Sequence, residues 1–276
     1  MSSRYLLNMT IRARNRFNII FLIISIVILL SNITLFSYHF FTGKLVIPEF
    51  ESSGFFLFRY EFWSVIASIF TINLYVTTAA YLIWRTFEKT QATEVLFFLL
   101  FLAALLLNST RLYVPIFGLN GSYSSNLISL GNLSLTARFL APISLFALSA
   151  FSDEDYRQQT EQICLITILV SVFFAIYIPL NTSIIKENLC VSYGFSKAIQ
   201  VFSIITSIIS TITLFFHNKQ HDFSQINTLG FFMIIIGYNH LFTCYTFAQY
   251  IAGLGLLSSG TAIYFTKLHQ HYLWTD

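Results

Sequence analysis

The sequence predicts an all-α fold, a polytopic bundle of about eight transmembrane helices (seven being the alternative) with no soluble domain. Three observations carry this expectation. Apolar residues make up 56% of the 276 positions and charged residues 10%, where a soluble domain carries about a quarter charged. Apolar runs of about 20 residues recur along the chain, the length that a hydrocarbon core ~30 Å thick demands at 1.5 Å per residue. Lys and Arg gather between those runs with a one-sided bias, as the positive-inside rule requires.

The whole chain, 1–276, reads as a single integral membrane domain. The first predicted span covers 17–41. A basic segment precedes it, but the run is about 25 residues long with no A-x-A site after it, and a signal-peptide apolar region is 7–15. It therefore reads as a retained helix. The next predicted spans are 61–84, 94–117, 133–152, 163–181 and 195–216. Residues Thr228 to Thr266 contain no Lys, Arg, Asp or Glu. A single helix of that length would run ~58 Å, about twice the core thickness, so two spans are predicted, 228–246 and 249–267, turning near Tyr245–Tyr250. Between spans, the longest outer segment (42–60) is too short for a domain, and the inner "SDEDYRQQTEQ" (152–162) is shorter still.

With eight spans and the N-terminus inside, nine cations are cytoplasmic: Arg4, Arg12, Arg14, Arg16, Arg85, Lys89, Arg157, Lys219 and Lys267. Four lie outside, Lys44, Arg59, Lys186 and Lys197. Both termini are thus expected in the cytoplasm. Cys164, Cys190 and Cys244 form neither a disulfide framework nor a CxxC site. With no secretory features, a bacterial cytoplasmic membrane is the expected location.

Two arginines remain within spans, Arg111 in "LLLNSTRLYVPIFG" and Arg138 in "LSLTARFLAPISLF". A charged side chain in a span costs free energy, so it snorkels, pairs or marks a site. Antiparallel helices would place both at about 8–9 Å below the outer face. Guanidinium forks match carboxylate and phosphate groups, so an anion pocket open to the outside is the functional reading. Snorkelling, or a salt bridge to Glu61 or Glu187, is the bland one. Pro115 and Pro142 each follow an arginine by four and displace its carbonyl from the helix ladder. Tyr238, Asn239 and His240 in "GYNHLF" lie at comparable depth, and Asn108 sits one turn before Arg111. These six residues, Arg111, Arg138, His240, Asn239, Asn108 and Tyr238, are the candidate ligand-binding set. Interhelical hydrogen bonding is the alternative use of the neutral ones. Gln200, one turn after Lys197, is a further polar span residue. Small residues at Ala248, Ala252, Gly255, Ser259 and Gly260 suggest a helix-packing face on the last span.

No carboxylate lies in the middle of a span, which disfavours proton-coupled or cation-coupled transport. HExxH, GxSxG, Walker A and GxGxxG motifs are absent. His269 and His271 offer two imidazoles with no third ligand evident. Six N-x-S/T triplets, at Asn8, Asn32, Asn108, Asn120, Asn132 and Asn181, follow from a composition rich in those residues. A membrane-bound enzyme is the fourth reading, limited by the lack of acid–base groups at depth, and no cofactor, metal or nucleic acid is expected. The expected partners are the lipid bilayer, a small anionic ligand, and a second membrane or cytoplasmic protein to supply output. The function that fits is a sensor or signalling-type module recognising a small anionic or polar ligand, or a lipid headgroup, from the outer side. A transporter component for an anionic solute or lipid, and a structural or assembly subunit, are the alternatives.

Overall fold

A computed structural model describes residues 2–48, 50, 55, 57–88, 93–119, 125–151, 159–220 and 224–274, with side chains from Arg14 to Gln270. Lys89, Arg157, Asn120 and most of the 152–162 loop lie outside the described residues, as do the side chains of Arg4, Asn8, Arg12 and His271. The helices are α1 (Ser2–Phe41), α2 (Phe62–Phe87) and α3 (Glu94–Asn108), which runs on through a 3-10 turn (Ser109–Leu112) into α4 (Tyr113–Ile116). Then come α5 (Ser125–Ala150), α6 (Thr160–Tyr177), α7 (Ser196–Gln220), α8 (Gln225–Phe242) and α9 (Phe247–Trp274). Six of these segments are long and apolar enough to cross a membrane: α1, α2, α3 with α4, α5, α6 and α7. At 18 and 28 residues, α8 and α9 have the length but are less apolar, because polar residues such as Asn227, Asn239, His240, Ser258 and Ser259 interrupt them. The break between them falls at Thr243–Thr246, close to the expected turn.

Burial separates central from peripheral helices. The spans of α3 and α5 are 78% and 72% buried, whereas those of α1, α6 and α7 are 17–22% buried. The peripheral helices point Ile, Leu, Val and Phe outward, among them Ile20, Ile23, Leu165, Ile166, Ile204 and Ile208. Apolar surface on this scale belongs against lipid, since soluble monomers rarely expose it. On α1 the inward stripe is largely polar: Arg14, Asn18, Ser25 and Asn32, with Phe21, are buried at helical spacing. Arg14 donates from Nη2 to the Phe87 carbonyl at 2.7 Å, capping the C-terminus of α2.

The tightest helix pair is the α8–α9 hairpin, where glycine lets backbone meet backbone. A Cβ on Gly237 would lie 2.5 Å from the Leu257 amide nitrogen, and one on Gly260 would lie 2.7 Å from the Gly230 carbonyl. The packing face of α9 is therefore Gly253, Leu257, Gly260 and Tyr264, all buried. This corrects the sequence reading: Ala252 and Gly255 are exposed, and of the suggested set only Gly260 makes the close approach. The residues at 252, 255 and 259 sit one or two positions off that face, which is rotated by 100° per residue.

The all-α class holds, and one short strand pair is added to it. Between α6 and α7 the chain forms an antiparallel hairpin, β1 (Leu180–Ile185) and β2 (Val191–Tyr193), pairing Leu180 with Tyr193 and Ile185 with Val191. It lies along the first half of α5, where a Cβ on Gly131 would come within 2.7 Å of Leu180. Since α5 starts at Ser125, eight residues before the predicted 133, Arg138 stands 13 residues, about 20 Å, along it. The hairpin covers that added length.

Candidate functional site

Arg111 and Arg138 both approach the tip of the β-hairpin, but they do different things there. The tip is a tight turn. The Lys186 amide donates to the Cys190 carbonyl at 2.9 Å, and the Leu189 amide donates to the Lys186 carbonyl at 2.8 Å. Leu189 adopts φ 63°, a left-handed conformation that costs a residue with a Cβ roughly 1–2 kcal/mol. The turn holds because the Leu189 side chain is fully buried among Phe62, Val65, Ile66, Ile69, Leu112 and Ile116. Asn188, beside it, receives the Cys190 amide on Oδ1 at 3.3 Å and donates from Nδ2 to the Phe242 carbonyl at 3.1 Å.

Arg111 is 2% exposed and its guanidinium is occupied. Nη1 donates to the carbonyls of Phe242 (3.0 Å) and Asn188 (3.3 Å), and Nη2 donates to the Leu241 carbonyl (3.0 Å) and to Ser68 Oγ (2.9 Å). Leu241 and Phe242 end α8, where carbonyls lack intrahelical donors and the helix dipole is negative. A cation there satisfies both needs without a carboxylate. Neither Glu61 nor Glu187 is among its partners. Arg111 therefore joins α2, the turn after α3, the hairpin and α8. Its bonding capacity is spent on the protein, save Nε, which has no partner.

Arg138 is different. It is only partly buried. Its Nη2 donates to Cys190 Sγ at 3.7 Å, its Cζ stands 5.5 Å from the Tyr193 ring centroid, and its buried Nε has no partner. Sulfur is a weak acceptor, so the guanidinium keeps most of its donor capacity. Lys186 places Nζ 3.9 Å from the same Tyr193 ring. Burial, followed by the Arg138 charge, lowers the Lys186 pKa. Burial alone would raise the Cys190 thiol, but Arg138 and then Arg111 outweigh it and the pKa falls. The Arg138 charge thus acts on both groups, second to burial at Lys186 and against burial at Cys190.

That guanidinium opens onto a cleft of about 600 Å³ between α7 and α8, within the range of small-molecule sites. One end is polar, with Arg138, Tyr193, Gln200, Asn239, His240 and Thr243; the remainder is mostly Ile and Phe. Tyr238 is 1% exposed and lines the cleft with Ser203 and Ser207. Asn239 spends its Nδ2 on the Ile235 carbonyl at 2.9 Å.

Of the six sequence candidates, Arg138, Tyr238, Asn239 and His240 line this cleft, and Arg111 and Asn108 do not. Asn108 is fully buried, with both amide atoms unpartnered. The site also includes residues that sequence reasoning passed over: Tyr193, Ser203, Ser207 and Thr211. Three of them carried a signal. Gln200, Ser203, Ser207 and Thr211 recur at spacings of three, four and four on α7, one face of a helix. Tyr193 carried none, because only the hairpin brings it to Arg138.

Among the described residues, no group of three or more His, Cys, Asp or Glu side chains is placed to hold a metal ion. His269 instead packs edge-on to Phe87, with ring centroids 5.8 Å apart. No protein-family model matches the chain, and no curated protein does.

Proposed function

We propose that this is a membrane recognition module of sensor type, which binds an anionic head at Arg138 from the outer side of an eight-span bundle with cytoplasmic termini. One observation carries the reading: the half-buried Arg138, with no carboxylate against it among the described residues, lines a cleft together with further hydrogen-bonding groups. The bias of nine inner to four outer cations supports the orientation. The antiparallel α8–α9 pair supplies two further helices of sufficient length for eight spans.

A sensor role is favoured over cation-coupled transport because the carboxylates of the described spans lie near helix ends, such as Glu94 and Glu161 at the starts of α3 and α6. Only α7 forms one wall of the cleft while being loosely packed, with 17% of its span buried. A ligand that drew α7 toward α8 would move a helix ending near the cytoplasmic side, a population shift paid from differential affinity for the two positions.

The test is equilibrium binding of short anions, from inorganic phosphate to hexyl phosphate, to protein in nanodiscs. Binding to the wild type and a loss of about tenfold or more in Arg138→Gln, ~1.4 kcal/mol, would support the reading. Equal binding by both proteins, or by neither, would refute it.

A further inference from the structure

The polar end of the α7–α8 cleft accounts for only part of its length. Lining residues on α7 run from Ile199 to Ile212 and on α8 from Phe242 back to Phe232, with Thr243 just beyond its end. Thirteen residues of helix span about 20 Å, longer than one leaflet of a ~30 Å hydrocarbon core. A small anion needs none of that extent.

The chemistry is graded along it. Arg138, Tyr193, Gln200, His240 and Thr243 hold one end, while Ile208, Ile212 and Phe232 form the other. Ser207 and Thr211 interrupt the apolar wall on α7 only modestly, since Thr211 Oγ1 donates to the Ser207 carbonyl of its own helix at 2.9 Å. The rim residues Ile204, Ile208, Ile212 and Phe232 are 45–59% exposed, and Ile205, Ile209 and Phe216 continue the same apolar surface around α7. The cleft thus opens sideways onto the surface that faces lipid, as well as toward its charged end.

We infer that the cleft takes an acyl chain of an anionic glycerophospholipid from the outer leaflet, with the phosphate at Arg138. This rests on the anion site proposed above and narrows its ligand from any outer anion to a bilayer lipid. Charge complementarity selects the head: the guanidinium fork suits phosphate oxygens, and the Lys186 ammonium beside Tyr193 adds a second positive charge. The tail fits the apolar wall, where each buried methylene contributes about 0.8 kcal/mol in water-to-apolar transfer. That term largely cancels for a lipid already in hydrocarbon, so selection among lipids falls to the head. The tail decides the route of entry.

The experiment reconstitutes the full chain in nanodiscs of equal parts dioleoyl-phosphatidylglycerol and dioleoyl-phosphatidylcholine, then measures the retained lipid by native mass spectrometry. Expected is phosphatidylglycerol retained in preference to phosphatidylcholine, with the preference falling about tenfold in Arg138→Gln. Two cleft-filling variants, Ser207→Phe within it and Ile208→Trp at its rim, should lose the retained lipid, while Ser207→Ala keeps it. Thermal unfolding selects the folded variants for comparison, and either filled variant suffices. If hexyl phosphate or inorganic phosphate binds through Arg138 as tightly as phosphatidylglycerol, and filling the cleft changes nothing, the anion site stands and the acyl-chain site falls. If no anion of either kind depends on Arg138, both fall together. Equal retention of phosphatidylcholine would overturn the headgroup assignment.

Discussion

Replacing Arg111 by Leu should destabilise the protein without touching the cleft. Four acceptors lose their donor: the carbonyls of Leu241, Phe242 and Asn188, and Ser68 Oγ. Two of these keep other bonds. The Phe242 carbonyl still receives Asn188 Nδ2 at 3.1 Å, and the Ser68 hydroxyl still donates to the Val65 carbonyl at 2.7 Å. The carbonyls of Leu241 and Asn188 are left without a side-chain donor in a place that water reaches poorly, at about 1–3 kcal/mol each. The charge itself was costly to bury, so its removal returns part of that desolvation. Set against that return, two unsatisfied buried carbonyls leave a net cost of about 3–5 kcal/mol. At roughly 2–4 °C per kcal/mol for a chain near this size, the thermal midpoint in nanodiscs should fall by about 6–20 °C. Arg111→Lys should fall between, since one ammonium cannot reproduce the guanidinium fork. An Arg111→Leu protein with an unchanged midpoint would refute the clasp. So would one that folds normally and loses phosphate binding, because Arg111 would then belong to the ligand.

Three further outcomes follow from the same structure. Leu189→Ala should cost about 2–5 kcal/mol in chemical unfolding, from the lost burial. Leu189→Gly should be no worse than Ala, since glycine takes φ 63° freely; a Gly variant clearly less stable than Ala would contradict a strained turn. Gly237→Ala should force α8 and α9 apart and cost about 1–3 kcal/mol, and an unchanged unfolding curve would show that the hairpin is looser than the 2.5 Å approach implies. Tyr60 titrates at about 12, raised from 10.0 by burial and then by Glu187 and Glu61. A raised phenol contributes stability that is complete below pH 10 and is lost as pH climbs toward 12. Tyr60→Phe should therefore remove one late-ionising phenol from an ultraviolet titration and flatten that alkaline loss; identical titrations would count against the buried placement.

Helix positions were legible because span length and apolar run length are the same physical constraint. The predicted 61–84, 94–117 and 195–216 compare with observed helices at Phe62–Phe87, Glu94–Ile116 and Ser196–Gln220. The hairpin was not legible. "LNTSIIKENLCVSY" shows no sustained alternation, and its turn is held by tertiary contacts: Leu189 in the α2–α4 core, and Asn188 against the end of α8. The arginine pair was visible as a pair of charges in apolar runs. Their different roles were not, because the partners of Arg111 are mostly backbone carbonyls, which leave no mark in composition. What distinguishes Arg138 is a cleft between two helices distant from it in sequence. Beside the "GYNHLF" segment, the polar stripe from Gln200 to Thr211 was the further sequence signal for that cleft.

The central claim is a division of labour: Arg138 faces a lipid phosphate, and Arg111 holds the protein together. Solid-state NMR of arginine-labelled protein in phosphatidylglycerol bilayers measures this directly, by the dephasing of each guanidinium carbon under recoupling to lipid phosphorus. The account expects strong phosphorus dephasing at Arg138 and none at Arg111. Dephasing at Arg111, or its absence at Arg138, would contradict it.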